Sequence, residues 1–330
     1  MIELALDAMG GDYAPGEIIQ GALQALKAYP VRLSLLGPQK VIEKQLQSAG
    51  QYDKSRVTII HAPDIVDMAD SPTLSFRRKK NSSIRLGLQL VKDKKVDGFV
   101  SAGNTGAVMT ASVLILGKTP NIERPAIASI LPSRDGQFVM LDMGSSVDCK
   151  AEHLAQFAVM GSYFSELLLG VANPRVGLLN IGEEKTKGNT VSQAAFSQMK
   201  ELPINFVGNV EGKDILFSVA DVVVCDGFVG NTLLKFGEGV ADLFFNFFKK
   251  EAKSSLLSLV GLLLLKPALK RFKKEYDYAE YGGAPLLGVE GVSVVAHGKS
   301  DAFAIKNAIH TAMKACNSNI VEKISKAVGQ

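Results

Sequence analysis

A pair of glycines framed by acids, Asp7-Ala8-Met9-Gly10-Gly11-Asp12, follows an apolar run at residues 2–6 and leads through Pro15-Gly16 into a helical pattern. Two readings fit it: a backbone cradle with Asp7, Gly10, Gly11 and Asp12 turned to a ligand, or a tight turn capped by its aspartates. A second small-residue loop, Ser101-Ala102-Gly103-Asn104-Thr105-Gly106-Ala107, opens a helix at about Thr105. Small side chains at Gly103 and Gly106 let backbone N–H groups approach an anion, and a helix N-terminus favours negative charge. Asn104 adds a side-chain donor, although a purely structural cap also fits. Neither loop has the spacing of a dinucleotide fingerprint or a Walker loop.

Two further loops extend the pattern. Asn180-Ile181-Gly182-Glu183-Glu184-Lys185-Thr186-Lys187-Gly188-Asn189 is strongly polar behind an apolar run. Lys187 and Asn189 could hold a phosphate or polarise a thioester carbonyl; a solvated charge run is the alternative. Asp226-Gly227-Phe228-Val229-Gly230-Asn231-Thr232 repeats the passage from strand through glycine turn to helix, and Lys235 shares a helical face with Asn231. Among the four histidines, His297 stands out because His297-Gly298-Lys299-Ser300 runs directly into a helix with Ser300 as a candidate N-cap; a capping loop and a proton relay both fit. Cys149, Cys225 and Cys316 form no CxxC or Cys/His cluster, so neither a metal site nor a disulfide framework is expected, and a reducing cytoplasm suits them.

Positioning these loops requires strands that end where they begin. Short apolar runs at 2–6, 31–36, 57–60, 98–100, 126–131, 138–141, 176–181, 204–207 and 222–225 alternate with helical patterns at 16–28, 83–92, 105–116, 151–169, 191–199, 231–250 and 301–323. That alternation predicts an α/β fold, a sandwich with a mostly parallel sheet covered on both faces, and ligands outside the carboxyl ends of its strands. With 330 residues, 47% of them hydrophobic, the chain can bury a large core, and one domain over 1–330 is expected. A net charge of +4 weakly favours anionic partners. The N-terminal residues do not resemble a signal peptide. Residues 249–281 change texture and read as an inserted helical arm. Leu256, Leu257, Val260, Leu263 and Leu264 precede Lys266-Pro267, a run well short of the roughly 18 residues needed to span a bilayer. Lys270, Arg271, Lys273 and Lys274 crowd its C-terminal side, which suits an interfacial helix, dimer packing or burial.

Together, the four loops and Tyr281-Gly282-Gly283-Ala284-Pro285-Leu286-Leu287-Gly288 resemble the PlsX phosphate acyltransferases over essentially the whole chain. The resemblance implies a Rossmann-like α/β/α sandwich that forms a homodimer and transfers a fatty acyl group from acyl carrier protein to inorganic phosphate. It implies no nucleotide, metal or other cofactor, and no nucleic acid partner. The acyl-phosphate would be used by a membrane glycerol-3-phosphate acyltransferase, and the enzyme would be cytoplasmic, touching an anionic membrane surface through its arm. The loops then suggest phosphate seated by Gly103, Asn104, Thr105, Gly106 and the Asn231 loop, with Lys187 and Asn231 on the developing oxyanion. Asp7, Gly10, Gly11, Asp12, Asn189, Asp226, Gly230 and His297 complete the expected substrate site. One departure stands out: members of the family commonly read Leu-Asp-x-Gly-Ala-Asn where this chain has Leu141-Asp142-Met143-Gly144-Ser145-Ser146. A serine lacks the paired functionality of an amide, so the family's role for that position is not carried over. A coenzyme A-dependent phosphotransacetylase is the enzymatic alternative, and a peripheral membrane scaffold the non-enzymatic one.

Overall fold

The structure is a computed structural model that describes residues 1–276 and 282–328. Residues 277–281, including Tyr281 and the end of the expected arm, lie outside the described residues, as do the side chains of Leu256, Lys273 and Lys274. Twelve strands appear among the described residues, and they divide between two sheets rather than forming one. In the first sheet β1 (Ile2–Asp7), β2 (Val31–Gly37), β3 (Val57–His61) and β4 (Gly98–Ser101) are parallel. The second contains β7 (Gly136–Leu141), β8 (Arg175–Asn180), β9 (Asn205–Glu211) and β10 (Val222–Val224), also parallel, with β6 (Ser129–Ser133) antiparallel at its edge. The first is completed by β12 (Val292–Val295), parallel to β4, then by antiparallel β11 (Ala284–Leu287) and β5 (Ala126–Ile127).

The run at 126–131 is therefore two strands. The chain passes from one sheet to the other at Ala128, whose N–H donates to Pro285 O at 3.0 Å. The expected mostly parallel α/β fold holds, and its central strands are covered by helices on both faces: β4, β10 and β12 are buried throughout.

The helices are α1 (Gly16–Ala28), α2 (Gln39–Ser48), α3 (Pro72–Arg78), α4 (Ser83–Lys92), α5 (Thr105–Ile115), α6 (Ala151–Phe164), α7 (Thr190–Glu201), α8 (Gly227–Glu251), α9 (Leu256–Tyr276), α10 (Ala302–Asn317) and α11 (Ile320–Val328). Helical spacing accounts for α1, which turns Ile18, Ile19, Ala22, Leu23 and Leu26 inward. It lies close on α10: a methyl group on Gly21 would sit 2.6 Å from Ile305 Cβ. The span 301–323 is broken in two because Asn319 takes a left-handed φ of 53°. Residues 151–169 likewise change from α6 to a π-helical turn, Ser165–Leu169. No helix among the described residues is long and apolar enough to cross a membrane.

Helices α8 and α9 form a hairpin. Phe244 and Phe245 meet Phe272 across it, with ring centroids 6.3 and 6.4 Å apart. The first helix of this hairpin begins at Gly227, in the loop that follows β10, rather than at Asn231.

Candidate active site

Three loops meet at the carboxyl ends of β1, β4 and β12. Asp7, only 2% exposed, accepts the Ser101 hydroxyl on Oδ2 at 2.7 Å and the Met9 N–H on Oδ1 at 3.1 Å. The Ser101 Oγ in turn accepts the Gly103 N–H at 3.0 Å. Burial pushes the Asp7 carboxyl above its ordinary value, and the hydroxyls of Ser83 and Ser101 with nearby backbone N–H groups pull it back. A methyl group on Gly10 would stand 2.5 Å from Asp7 Oδ2 and 2.6 Å from Gly103 N, so glycine is what allows the first two loops to touch. Gly11, at φ 100°, brings the chain to the third loop, where Asp12 N–H donates to Gly298 O at 2.7 Å.

The two acids of the first loop are thus separated. Asp7 is turned inward and ties strands together, while Asp12 is exposed beside His297. Asn104 is similarly committed. Its Oδ1 caps α5 by accepting the Ala107 N–H at 3.0 Å, and its amide nitrogen lies 2.9 Å from Met68 O, 3.0 Å from Asp70 O and 3.4 Å from Asp67 O. Its side chain holds the 67–70 loop, and the Gly103 N–H is likewise taken by Ser101 Oγ, so Thr105 and Gly106 are the residues of this segment whose N–H groups begin α5. Gly106 abuts α3, since a methyl there would sit 2.7 Å from Pro72 Cγ.

The second sheet presents its own loops at the carboxyl ends of β7, β10 and β8. Asp142 is fully buried and gathers the 142–146 loop: Oδ1 accepts the Ile127 N–H at 2.9 Å and the Ser145 N–H at 3.1 Å, and Oδ2 accepts the Ser146 N–H at 2.6 Å. The Ser145 hydroxyl lies 2.6 Å from Asp142 Oδ2 and 2.9 Å from Pro125 O. Burial raises this carboxyl too, against those donors. Helix α8 sits on the loop. Its N-cap Asp226 accepts the Val229 N–H at 2.8 Å, the Gly227 N–H donates to Ser146 O at 2.8 Å, and a methyl on Gly230 would collide with the Asp142 carbonyl. Asn231 lies beside Gly144, exposed.

Helix α8 then connects the two groups of loops. Asn231, Lys235 and Glu238 share one face, and the rise from Gly227 to Glu238 is about 16 Å. Lys235 Nζ lies 2.9 Å from Glu238 Oε2, and Glu238 Oε1 stands 4.0 Å from His297 Nε2. Because His297 Nδ1 accepts the Lys299 N–H at 3.2 Å, the neutral ring carries its proton on Nε2, toward Glu238. Burial lowers the His297 pKa, as do Lys235 and Lys299, while Glu238 and Asp12 oppose the shift.

The third loop of this sheet, 181–189, is fixed at both ends. Asn180 Nδ2 donates to Lys187 O at 3.2 Å and to Asn209 Oδ1 at 3.1 Å, and Asn189 caps α7 by accepting the Ser192 N–H at 2.9 Å. Lys187 pairs with Glu184 of its own loop at 3.8 Å and is half exposed. The structure therefore brings Asp12, Gly10, Gly11 and Gly103 to His297, and Asp226, Gly230 and Asn231 to the 142–146 loop. Lys187 and Asn189 stand at the neighbouring strand end, where they bond to Asn180, Glu184 and Ser192. Sequence reasoning overlooked Glu238 and the organising part of Asp142. Both left signals: Glu238 falls on the Asn231 and Lys235 face, and Asp142, like Asp7, follows an apolar strand and precedes a glycine.

Burial, then Asp142 and Asp226, push the Cys149 thiol up to about 11, and burial raises the Cys225 thiol too. Neither is a thiolate nucleophile at neutral pH. The arrangement sets N–H donors, cations and amides at the carboxyl ends of the strands of both sheets, groups able to place an anion beside an electrophile.

A family model described as fatty acid synthesis protein matches residues 2–323. A phosphate acyltransferase of Heliobacterium modesticaldum is 48% identical over 327 residues, covering 99% of this chain and 98% of that protein. One from Dictyoglomus turgidum is 47% identical over 331 residues, covering 100% of this chain and 98% of its own. Among solved structures, a phosphotransacetylase from Streptococcus pyogenes has a TM-score of 0.65 at 16% identity, covering 97% of this chain and 94% of that one. A branched-chain phosphotransacylase from Enterococcus faecalis V583 has a TM-score of 0.60 at 13% identity, covering 96% and 99% respectively. At such identities the likeness of these structures is one of fold.

Proposed function

The chain belongs to the fatty acid synthesis protein family, and from that membership we infer that it is a phosphate acyltransferase, moving a fatty acyl group from an acyl carrier protein thioester to inorganic phosphate. The observation that carries the chemistry is the meeting of glycine loops at the strand ends, linked by α8 from Asn231 to Glu238. Phosphate is held by the backbone N–H groups of Thr105 and Gly106 at the start of α5, beside Gly103, with Lys235 and the Nε2–H of His297 facing it from the far side.

A phosphate oxygen attacks the thioester carbonyl, the new C–O bond forms, and the C–S bond breaks. Hydrogen phosphate gives up its proton to the departing thiolate, so acyl-phosphate and free thiol are the products. Neutral His297, already a hydrogen-bond donor at Nε2, serves better to orient phosphate than to take its proton. Lys187 and Asn231 stabilise the oxyanion, Lys187 by swinging from Glu184 when substrate arrives. Proximity and these donors suffice without a covalent enzyme intermediate, in keeping with cysteines held as thiols.

The same reading extends to surroundings. Exposed Leu257, Val260, Leu263 and Leu264, followed by Lys270 and Arg271, suit a helix that lies on an anionic membrane from the cytoplasmic side. The apolar faces of α8 and α9 also suit a homodimer contact, and the acyl-phosphate would pass to a membrane glycerol-3-phosphate acyltransferase. The test is phosphate-dependent consumption of purified long-chain acyl carrier protein thioester without added metal or nucleotide, with acyl-phosphate detected by mass. Its formation is the expected result. Turnover only with a coenzyme A thioester would instead support the phosphotransacetylase reading.

A further inference from the structure

We propose that the exposed basic surface of Arg77, Arg78 and Lys80, with Leu74 and Met68 beside it, is where the acidic carrier protein docks to deliver its tethered thioester. The inference rests on the acyl carrier protein reading above and assigns that partner a place. Residues 76–80 read Phe-Arg-Arg-Lys-Lys at the end of α3. Lys79 is turned toward its own loop, 2.6 Å from Asp70 and 3.6 Å from Asp67. Arg77, Arg78 and Lys80 are exposed and make no ion pair among the described residues. Complementing the dipole at the helix C-terminus would account for two arginines, but not for Lys80 beyond it or for the apolar side chains alongside. Leu74 is 49% exposed and Met68 44%.

This surface is firmly attached to the rim of the cleft. The amide of Asn104 holds the carbonyls of Asp67, Met68 and Asp70. Pro72, the first residue of α3, packs on Gly106 at the anion-binding end of α5. Met68 reaches the other side, where a methyl on Gly298 would sit 2.7 Å from its Cε. From Pro72 to Arg78 the helix rises about 9 Å, so the cations stand up to about that far from Gly106. A folded carrier cannot enter the cleft and must present its thioester on a flexible arm from outside. A basic surface with apolar neighbours at that distance complements an acidic helix face in charge and in chemistry.

The measurement compares initial rates with acyl carrier protein thioester and with a small acyl-pantetheine thioester, for wild type and an Arg77→Glu/Arg78→Glu/Lys80→Glu variant. The expected result is a KM for the carrier-borne substrate raised about tenfold or more, with kcat and both the pantetheine and phosphate KM values unchanged. Added salt should raise the wild-type carrier KM and affect the variant less. An unshifted carrier KM overturns the proposal, and so does equal impairment with both thioesters, because the surface would then serve the cleft rather than the partner. Loss of binding to phosphatidylglycerol vesicles with an unchanged carrier KM would assign the surface to membrane and overturn it as well. Should the reversal variant fold poorly, Arg77→Gln/Arg78→Gln/Lys80→Gln should give a smaller shift in the same direction, and no shift in that variant is equally decisive. Failure of wild type with both thioesters would remove the acyltransfer reading itself; turnover by wild type with no shift in the variants removes only the docking surface.

Discussion

Asp7 and Asp12 stand five positions apart in one loop, yet their surroundings give them opposite work. Asp7 sits inside the protein with its carboxyl raised by burial, and Asp12 stands at the cleft beside His297. The raised value fixes a sign. Between the ordinary carboxyl value near 3.8 and the raised one, the folded protein keeps a proton that the unfolded chain has lost, so Asp7's contribution to stability declines as pH rises through that window. Asp7→Asn should remove this component: the stability difference between wild type and variant, followed by denaturant unfolding at several pH values, should shift in the variant's favour as pH increases. A difference independent of pH would mean that Asp7 ionises as freely in the folded protein as in the unfolded one. The proposed oxyanion donors belong to the same scale. Replacing Lys187 or Asn231 by Ala should lower kcat by roughly two to three orders of magnitude while the melting temperature stays nearly constant, since both are exposed. Normal turnover in either variant would remove that residue from the chemistry. None of this division was legible in the sequence, because the pattern Asp-x-x-Gly-Gly-Asp does not say which carboxylate is buried.

Legibility improves at the scale of elements, with informative failures. Helical periodicity recovered α1 and α4 to the residue because each has one apolar face and polar ends. Helix α8 was expected from Asn231 and begins at Gly227. Glycine costs about 1 kcal/mol in a helix interior relative to Ala, so Gly227 and Gly230 read as a turn. The structure places them against Ser146 and Asp142, contacts between distant segments that periodicity cannot reveal. Strand β11 was hidden by Pro285, a residue that weakens a strand assignment, and the passage between sheets at Ala128 carries no local mark. A matched pair of glycine substitutions tests these contacts. Gly230→Ala should cost at least about 1–3 kcal/mol and displace Asn231 from Gly144, lowering turnover, because its methyl meets the Asp142 carbonyl. Gly237→Ala, with no neighbour within 4 Å, should be neutral or stabilising by up to about 1 kcal/mol. Equal effects at the two positions in thermal unfolding would mean that helix propensity, and not the contact, governs this segment.

Across the whole molecule, α8 is the element that joins chemistry to surroundings: its first turns carry Asn231, Lys235 and Glu238, and its far end turns into α9. The α/β character and the polarity of the loops were legible because buried parallel strands need apolar runs that end at one edge. The division into two sheets was not, since strand order depends on pairings between residues far apart in the chain. The exposed side of the hairpin carries Leu257 and Leu264, 83% and 78% exposed, more apolar surface than water favours on an isolated helix pair. A membrane and a second copy of the chain would each cover it, and charge separates them. Lys270 and Arg271 near the end of α9 add about 1 kcal/mol each at an anionic surface and nothing specific to an apolar subunit contact. Lys270→Glu/Arg271→Glu should therefore weaken sedimentation with phosphatidylglycerol vesicles at least about tenfold, while acyl-phosphate formation from soluble substrates and the mass in solution stay as in wild type. If vesicle binding persists unchanged, a second copy of the chain and not a membrane covers the hairpin, and the link along α8 runs to the partner protomer rather than to the lipid.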